Sequence, residues 1–156
     1  MVHIQTLSSD EKKLVGYTVT ASVNEDVEAN IIVRLRDKLM NTRHNIPHQL
    51  DNTSMYLVQR YSDCEWTPDV PFVHILAVEV HEFSDIPNEF IQHTLPTRTY
   101  TKVTHHGPES TLTETYHAIQ EQAICSTRPF DFEYWADVHS LDQEDSVIEI
   151  YLPMKE

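Results

Sequence analysis

The sequence predicts an α+β fold in which duplicated β-α-β-β units form one antiparallel-rich sheet, with two helices on one face and a ligand groove between the halves. Three observations lead there. The order strand, helix, strand, strand is legible over residues 14–81 and recurs over 97–152. Each unit carries only one helix-period apolar stripe, so neither can bury a whole sheet face by itself. At 156 residues and 40% hydrophobic content the chain supports one core that buries roughly two thirds of its unfolded surface, which sets a single domain at 1–156.

The first strand spans 14–22, "LVGYTVTAS". A helix follows at 25–41, with Asn24 as its cap, Glu25 and Asp26 in the first turn, and Ile31, Ile32, Leu35 and Leu39 as its stripe. Strands at 54–61 and 72–81 close the unit, and the second, "FVHILAVEVH", is apolar on both faces and belongs near the centre of the sheet. After the connector "EFSDIPNEFIQHTLP" comes a strand at 97–105, then a helix at 108–124 introduced by Gly107 and Pro108. Leu112, Tyr116, Ile119 and Ala123 form its stripe. Strands at 130–136 and 146–152 complete the second unit, and Tyr17 and Tyr100 occupy corresponding positions.

The segment "RPFDFEYWAD" surrounds one carboxylate, Glu133, with four aromatic rings. Side chains alternate between faces along a strand, so Phe130, Phe132 and Tyr134 share one face, and Asp131, Glu133 and Trp135 the other. Assigning the three-aromatic face to the helices sends Glu133 and Trp135 into the open groove. In the last strand Ile148, Ile150 and Leu152 suit the helix side, which leaves Glu149 and Tyr151 beside Glu133 and Trp135. Trp66, in the loop "SDCEWTPDVP", is placed at the groove rim.

Charge and composition exclude several classes. With 25 acidic against 11 basic residues and a formal net charge of -14, the chain lacks the positive charge that binding a phosphate backbone requires. Nucleic acid is therefore not an expected direct partner, whereas cationic ligands or a basic protein surface are compatible. No apolar run approaches the roughly 18 residues of a membrane helix, and the first residues lack the pattern of an export signal, which points to a cytoplasmic location away from membranes. Cys64 and Cys125 have neither CxxC spacing nor scaffold density and read as two reduced thiols.

The pattern "LPTRTYTKVTHHGPESTLTETYHAI…FDFEYWAD…VIEIYLPM" resembles the GyrI-like family of effector-binding domains. It is carried by Pro96 and Tyr100, the His106-Gly107-Pro108 turn, Tyr116, Phe132-Glu133-Tyr134, and Ile150-Tyr151-Leu152-Pro153. The segment "EQAICSTRP" departs from the family, which more usually has a tryptophan there. The resemblance implies two fused β-α-β-β units and a groove for bulky, often cationic, aromatic drugs or metabolites, with Glu133 as the glutamate carried over. In transcription regulators such a domain follows a DNA-binding helix-turn-helix, so this chain reads as the sensor domain alone. The family also contains hydrolases of strained cyclopropane compounds, and it is named for a gyrase inhibitor.

The expected function is small-molecule binding through Glu133, Trp135, Tyr151, Glu149 and Trp66, with Tyr100 as a further contact. Its chemistry is attraction of a delocalised cation to a partly desolvated carboxylate, supplemented by aromatic ring faces. Tyr100 and Tyr116 also fit the core, with bonded hydroxyls. The pairs His74/His81 and His105/His106 lack zinc-motif spacing and read as surface or turn residues. There is no GxSxG, and two glycines cannot supply a P-loop or GxGxxG, so no catalytic residue, cofactor or metal is assigned. Two alternatives stand beside binding: acid/base hydrolysis using Glu133 or Glu149, and an acidic inhibitor docking on a protein such as gyrase.

Overall fold

The computed structural model describes residues 3–62, 65–125 and 127–154. Its strands are β1 (His3–Ser9), β2 (Lys12–Ala21), β3 (Met55–Arg60), β4 (Phe72–Val80), β5 (Ile91–Leu95), β6 (Arg98–His106), β7 (Phe130–Trp135) and β8 (Val147–Pro153). Three α-helices accompany them: α1 (Val23–Ala29), α2 (Ile31–Thr42) and α3 (Leu112–Glu121). The strands form one antiparallel sheet in the order β1-β6-β8-β7-β3-β4-β2-β5, which is the expected α+β class. Outward from the β7/β3 seam, the order runs β7-β8-β6 on one side and β3-β4-β2 on the other.

The first predicted helix is two helices, because Asn30 takes a left-handed conformation with φ 53°. Asparagine tolerates that region better than most residues. The Asp26 carboxylate stabilises the break by accepting from the Ile32 N–H at 2.8 Å. The cap of α1 is Ser22 rather than Asn24: the Ser22 hydroxyl accepts from the Glu25 N–H at 3.1 Å, and the Glu25 carboxylate accepts from the Ser22 N–H at 3.0 Å. This reciprocal pair satisfies two N–H groups that a helix start leaves unpaired. Helix α3 is preceded by a 3-10 turn at Glu109–Thr111, and Ala123 lies beyond its end, exposed; Thr115 is the additional buried residue on its inner face.

Strands β1 and β5 were not expected. Both are sheet edges, and their polar residues alternate with too few apolar ones to signal a strand. Each face of the sheet carries its own apolar cluster. On the helix side, Leu57, Val78, Val103, Trp135 and Ile150 pack with Leu39 of α2 and Ile119 of α3. On the opposite side, Tyr56, Val58, Ile75, Tyr100 and Phe132 are buried together. At Gly16 the strands are so close that an added Cβ would lie 2.0 Å from the Leu76 carbonyl oxygen, so a glycine is required there.

Among the described residues, no helix is long and apolar enough to cross a membrane. Cys125 is a free, half-buried thiol, while the reading of Cys64 lies outside the described residues.

Candidate functional site

Directly opposed residues of an antiparallel pair point to the same face. The β7/β8 register pairs Glu133 with Ile150 and Trp135 with Ile148, whereas Phe132 faces Tyr151 and Tyr134 faces Glu149. Glu133 and Trp135 therefore lie on the helix side with Asp131, which corrects the expectation that they share a groove with Glu149 and Tyr151. The aromatic face of β7 packs into the cluster on the helix-free side, with Phe132 buried and Phe130 and Tyr134 half-buried. Both faces of β7 being packed, hydrophobicity alone gives no cue to which one meets the helices.

Glu133 sits on the seam between the two central strands, opposite Leu57 of β3, and is only 3% exposed. The Tyr116 hydroxyl of α3 donates to Glu133 Oε2 at 2.5 Å, and the Trp135 indole N–H donates to Oε1 at 3.0 Å. Both donors are neutral, and among the described residues Glu133 has no ion-pair partner. Burial pushes its pKa up to about 7 despite these two hydrogen bonds, and the nearby Asp131 and Glu109 carboxylates push the same way.

Asp131, fully buried two residues away, is handled differently. Its carboxylate accepts from Arg128 Nε at 2.8 Å, from the Tyr61 hydroxyl at 2.6 Å and from Gln59 Nε2 at 2.8 Å. Gln59 also donates to the Tyr116 oxygen at 3.2 Å, which links the two carboxylates in one network. Burial and the neighbouring Glu133 raise the Tyr116 pKa well above its usual value, so this hydroxyl remains a donor. One buried acid thus has a counter-charge and the other has none.

Above Trp135 lies the Arg36 guanidinium of α2, 5.2 Å from the ring centroid. Arg36 Nη1 also bonds Glu109 at 2.7 Å, in the turn before α3, so one side chain spans the gap between α2 and the start of α3. This places a cation on the aromatic ring whose indole N–H bonds the uncompensated carboxylate.

The other sequence-predicted residues lie elsewhere. Tyr100 is buried on the helix-free face, edge-on to Phe132 and Tyr151 at 5.3 and 6.0 Å. Tyr151 stacks on Phe132 at 4.6 Å and donates to Glu149 Oε1 at 2.7 Å, and Glu149 also pairs with Lys102 at 3.8 Å. Trp66 is 44% exposed in its loop. Sequence reasoning passed over Asp131, although its parity with Glu133 was available, and over Arg36 and Arg128, which no spacing rule singles out. A surface depression of about 480 Å³ lined by Arg43, His44, Gln49, Asp51 and Asn52 does not include Glu133. Its Arg43 is already bonded to Gln49 and to the Ser54 and Asp51 carbonyls.

His74 and His105 are buried rather than at the surface: His74 Nε2 bonds the Ala21 carbonyl at 3.0 Å, and His105 is held by Thr115 at 2.6 Å and the Pro108 carbonyl at 3.0 Å. Among the described residues, His48, His81 and Glu82 are the grouping whose donor atoms converge closely enough to hold a metal.

The chain is thus an α+β domain built on one eight-stranded antiparallel sheet, with an acid beneath its helices that is held by two neutral donors. Residues 7–154 match the integron-associated effector-binding protein family, Cass2, and the chain belongs to that family, in keeping with the GyrI-like resemblance. No curated protein matches the chain. Among solved structures, SAV2435 bound to tetraphenylphosphonium aligns with a TM-score of 0.75 at 15% identity, over 98% of this chain and 94% of that one. The integron cassette protein VCH_CASS2 from the mobile metagenome of Vibrio cholerae aligns with a TM-score of 0.72 at 13% identity, over 97% and 95%. EcmrR in its DNA complex aligns with a TM-score of 0.67 at 15% identity over 99% of this chain, which spans 58% of the EcmrR chain. At these identities the likeness is one of fold.

Proposed function

We propose that this effector-binding domain takes up bulky lipophilic aromatic cations at a site centred on Glu133, with Trp135 and Tyr116 as the flanking contacts. The observation that carries the reading is a buried carboxylate held by two neutral donors and lacking a counter-ion, next to Asp131, which has one. A delocalised cation supplies the missing charge without requiring strong hydration, and the Trp135 face adds ring attraction of roughly 0.5–2 kcal/mol. The tetraphenylphosphonium held by SAV2435 is a molecule of this class.

Glu133 is covered in this arrangement by Tyr116 of α3, with Arg36 of α2 over the neighbouring Trp135, so uptake requires α2 to shift away from α3. That displacement uncovers Leu39 and the half-buried Ile32, Leu35 and Met40 of α2, a cost that binding must offset. A ligand would take the place of the Arg36 guanidinium over Trp135. In this reading Glu149, Tyr151 and Tyr100 support the opposite face, and the cation does not touch them. We further propose that 14–81 and 97–152 are copies of one unit within a single domain, on the strength of the matching strand orders either side of the seam; a Cα superposition that fails to match the halves element by element would end this.

The test is a titration with methyltriphenylphosphonium followed by tryptophan emission and by mass spectrometry. Quenching that is lost in Trp135→Phe but kept in Trp66→Phe, with the compound recovered intact, supports the site. Quenching that depends on Trp66 moves it to the loop. Turnover of a cyclopropane-containing compound, abolished by Glu133→Gln, would favour a hydrolase, for which a carboxyl titrating near neutrality suits a general base.

A further inference from the structure

His48 and His81 are 33 positions apart in the sequence, yet the backbone joins them. The His81 N–H donates to the His48 carbonyl at 3.0 Å, Gln49 forms a bridge with Val80, and the Leu50 N–H donates to the Glu79 carbonyl at 3.1 Å. His48 takes a left-handed conformation, φ 68°, which turns the chain so that its ring meets the His81 ring edge-on at 5.0 Å. Glu82 completes the group. Its Oε1 is 3.5 Å from His48 Nδ1 and 3.8 Å from His81 Nδ1, while its Oε2 accepts from the Ser84 hydroxyl at 2.6 Å. One carboxylate oxygen is thus anchored by the protein, and the other is turned toward two imidazole nitrogens.

These separations have a simple reading. Ligand atoms about 2.0–2.2 Å from a tetrahedral metal lie about 3.4 Å from one another. The three donor atoms all fall within 4.8 Å of each other, so a small inward movement of the half-buried His48 and the exposed His81 and Glu82 side chains brings them to that spacing. The Nε2 of His48 is buried and makes no hydrogen bond among the described residues, so no such bond holds the ring away from Glu82. Two imidazoles and one carboxylate select borderline divalent transition metals, Zn²⁺ or Cu²⁺, over Mg²⁺ and Ca²⁺, which prefer all-oxygen sites. The Ser84 bond plays the orienting role that second partners give to ligating carboxylates.

We propose that His48, His81 and Glu82 form a binding site for a borderline divalent transition metal, Zn²⁺ or Cu²⁺, that ties the loop after α2 to the end of β4 and leaves a coordination position for water. It is independent of the site at Glu133. The experiment is calorimetric titration of the tag-free protein with Zn²⁺, with Mg²⁺ as comparison, alongside thermal unfolding with and without Zn²⁺. The expected result is saturable 1:1 binding of Zn²⁺ but not Mg²⁺ and a metal-dependent rise in Tm. Affinity should fall about tenfold or more in each of His48→Asn, His81→Gln and Glu82→Gln, and be unchanged in His139→Gln. Asn accepts the left-handed backbone at position 48, and 81 and 82 are exposed, so the variants are expected to keep the metal-free Tm. Absence of saturable Zn²⁺ binding, or affinity that survives any of the three substitutions within about threefold, overturns the proposal.

Discussion

Replacing Glu133 with Gln tests the state of the buried carboxyl without any ligand. The usual carboxyl value is 4.5, and burial raises that of Glu133 to about 7 in the folded protein. Between these values the folded state holds a proton that the unfolded state has released. Its contribution to stability is fully present below pH 4.5, declines as pH rises through the interval, and is gone above about 7. The interval corresponds to about 3 kcal/mol. Gln has no proton to lose, so the stability of Glu133→Gln relative to the parent should climb by about this amount from pH 4.5 to pH 8. The substitution also reverses one hydrogen bond: the Gln oxygen can accept from Trp135 while its amide donates to the Tyr116 oxygen, an offset of about 1 kcal/mol that does not vary with pH. Urea unfolding of both proteins at several pH values between 4.5 and 8, followed by far-UV circular dichroism, gives the difference curve. A flat difference, or a variant that loses relative stability as pH rises, would refute a carboxyl destabilised by burial.

Two other substitutions probe the frame around the site. Arg128→Met strands the fully buried Asp131 without its counter-charge and should cost about 3–5 kcal/mol in urea unfolding; a loss below about 1 kcal/mol would mean that Tyr61 and Gln59 suffice. Gly16→Ala drives a Cβ into the β4 backbone and should destabilise by at least about 1–3 kcal/mol, with parental stability as the contrary result.

Six of the eight strands, the α+β class and the two helix-bearing segments were legible because long apolar runs and helix-period stripes report local structure directly. The edges were not, since β1 and β5 owe their existence to pairing with β6 and β2. The helix break at Asn30 depends on one left-handed residue and one Asp26 hydrogen bond, neither of which disturbs the stripe from Ile31 to Leu39. At the site, Glu133 and Trp135 were singled out by the alternation of the aromatic strand, with Glu133 also carried by the family motif, but their face was inverted. Alternation divides β7 into two faces without saying which meets the helices, and here both are packed; only the Glu133–Ile150 register decides. Tyr116 was read as core with a bonded hydroxyl, and its partner is Glu133 itself. Arg36 and His48 acquire their roles from contacts across long sequence separations, to which local pattern is blind.

The most direct test of cation capture by Glu133 compares methyltriphenylphosphonium with the similarly shaped neutral triphenylphosphine oxide by calorimetry at pH 6 and pH 8. A carboxyl titrating at about 7 is mostly protonated at the lower pH and mostly ionised at the higher, so the cation should bind about tenfold tighter at pH 8. In Glu133→Gln that pH dependence should vanish, and the pH 8 affinity for the cation should drop roughly 10-fold or more, while the neutral compound binds as well or better. Cation binding that is indifferent to pH in the parent protein, or equal losses for the charged and neutral compounds in the variant, would contradict a site in which the charge of Glu133 does the recognising.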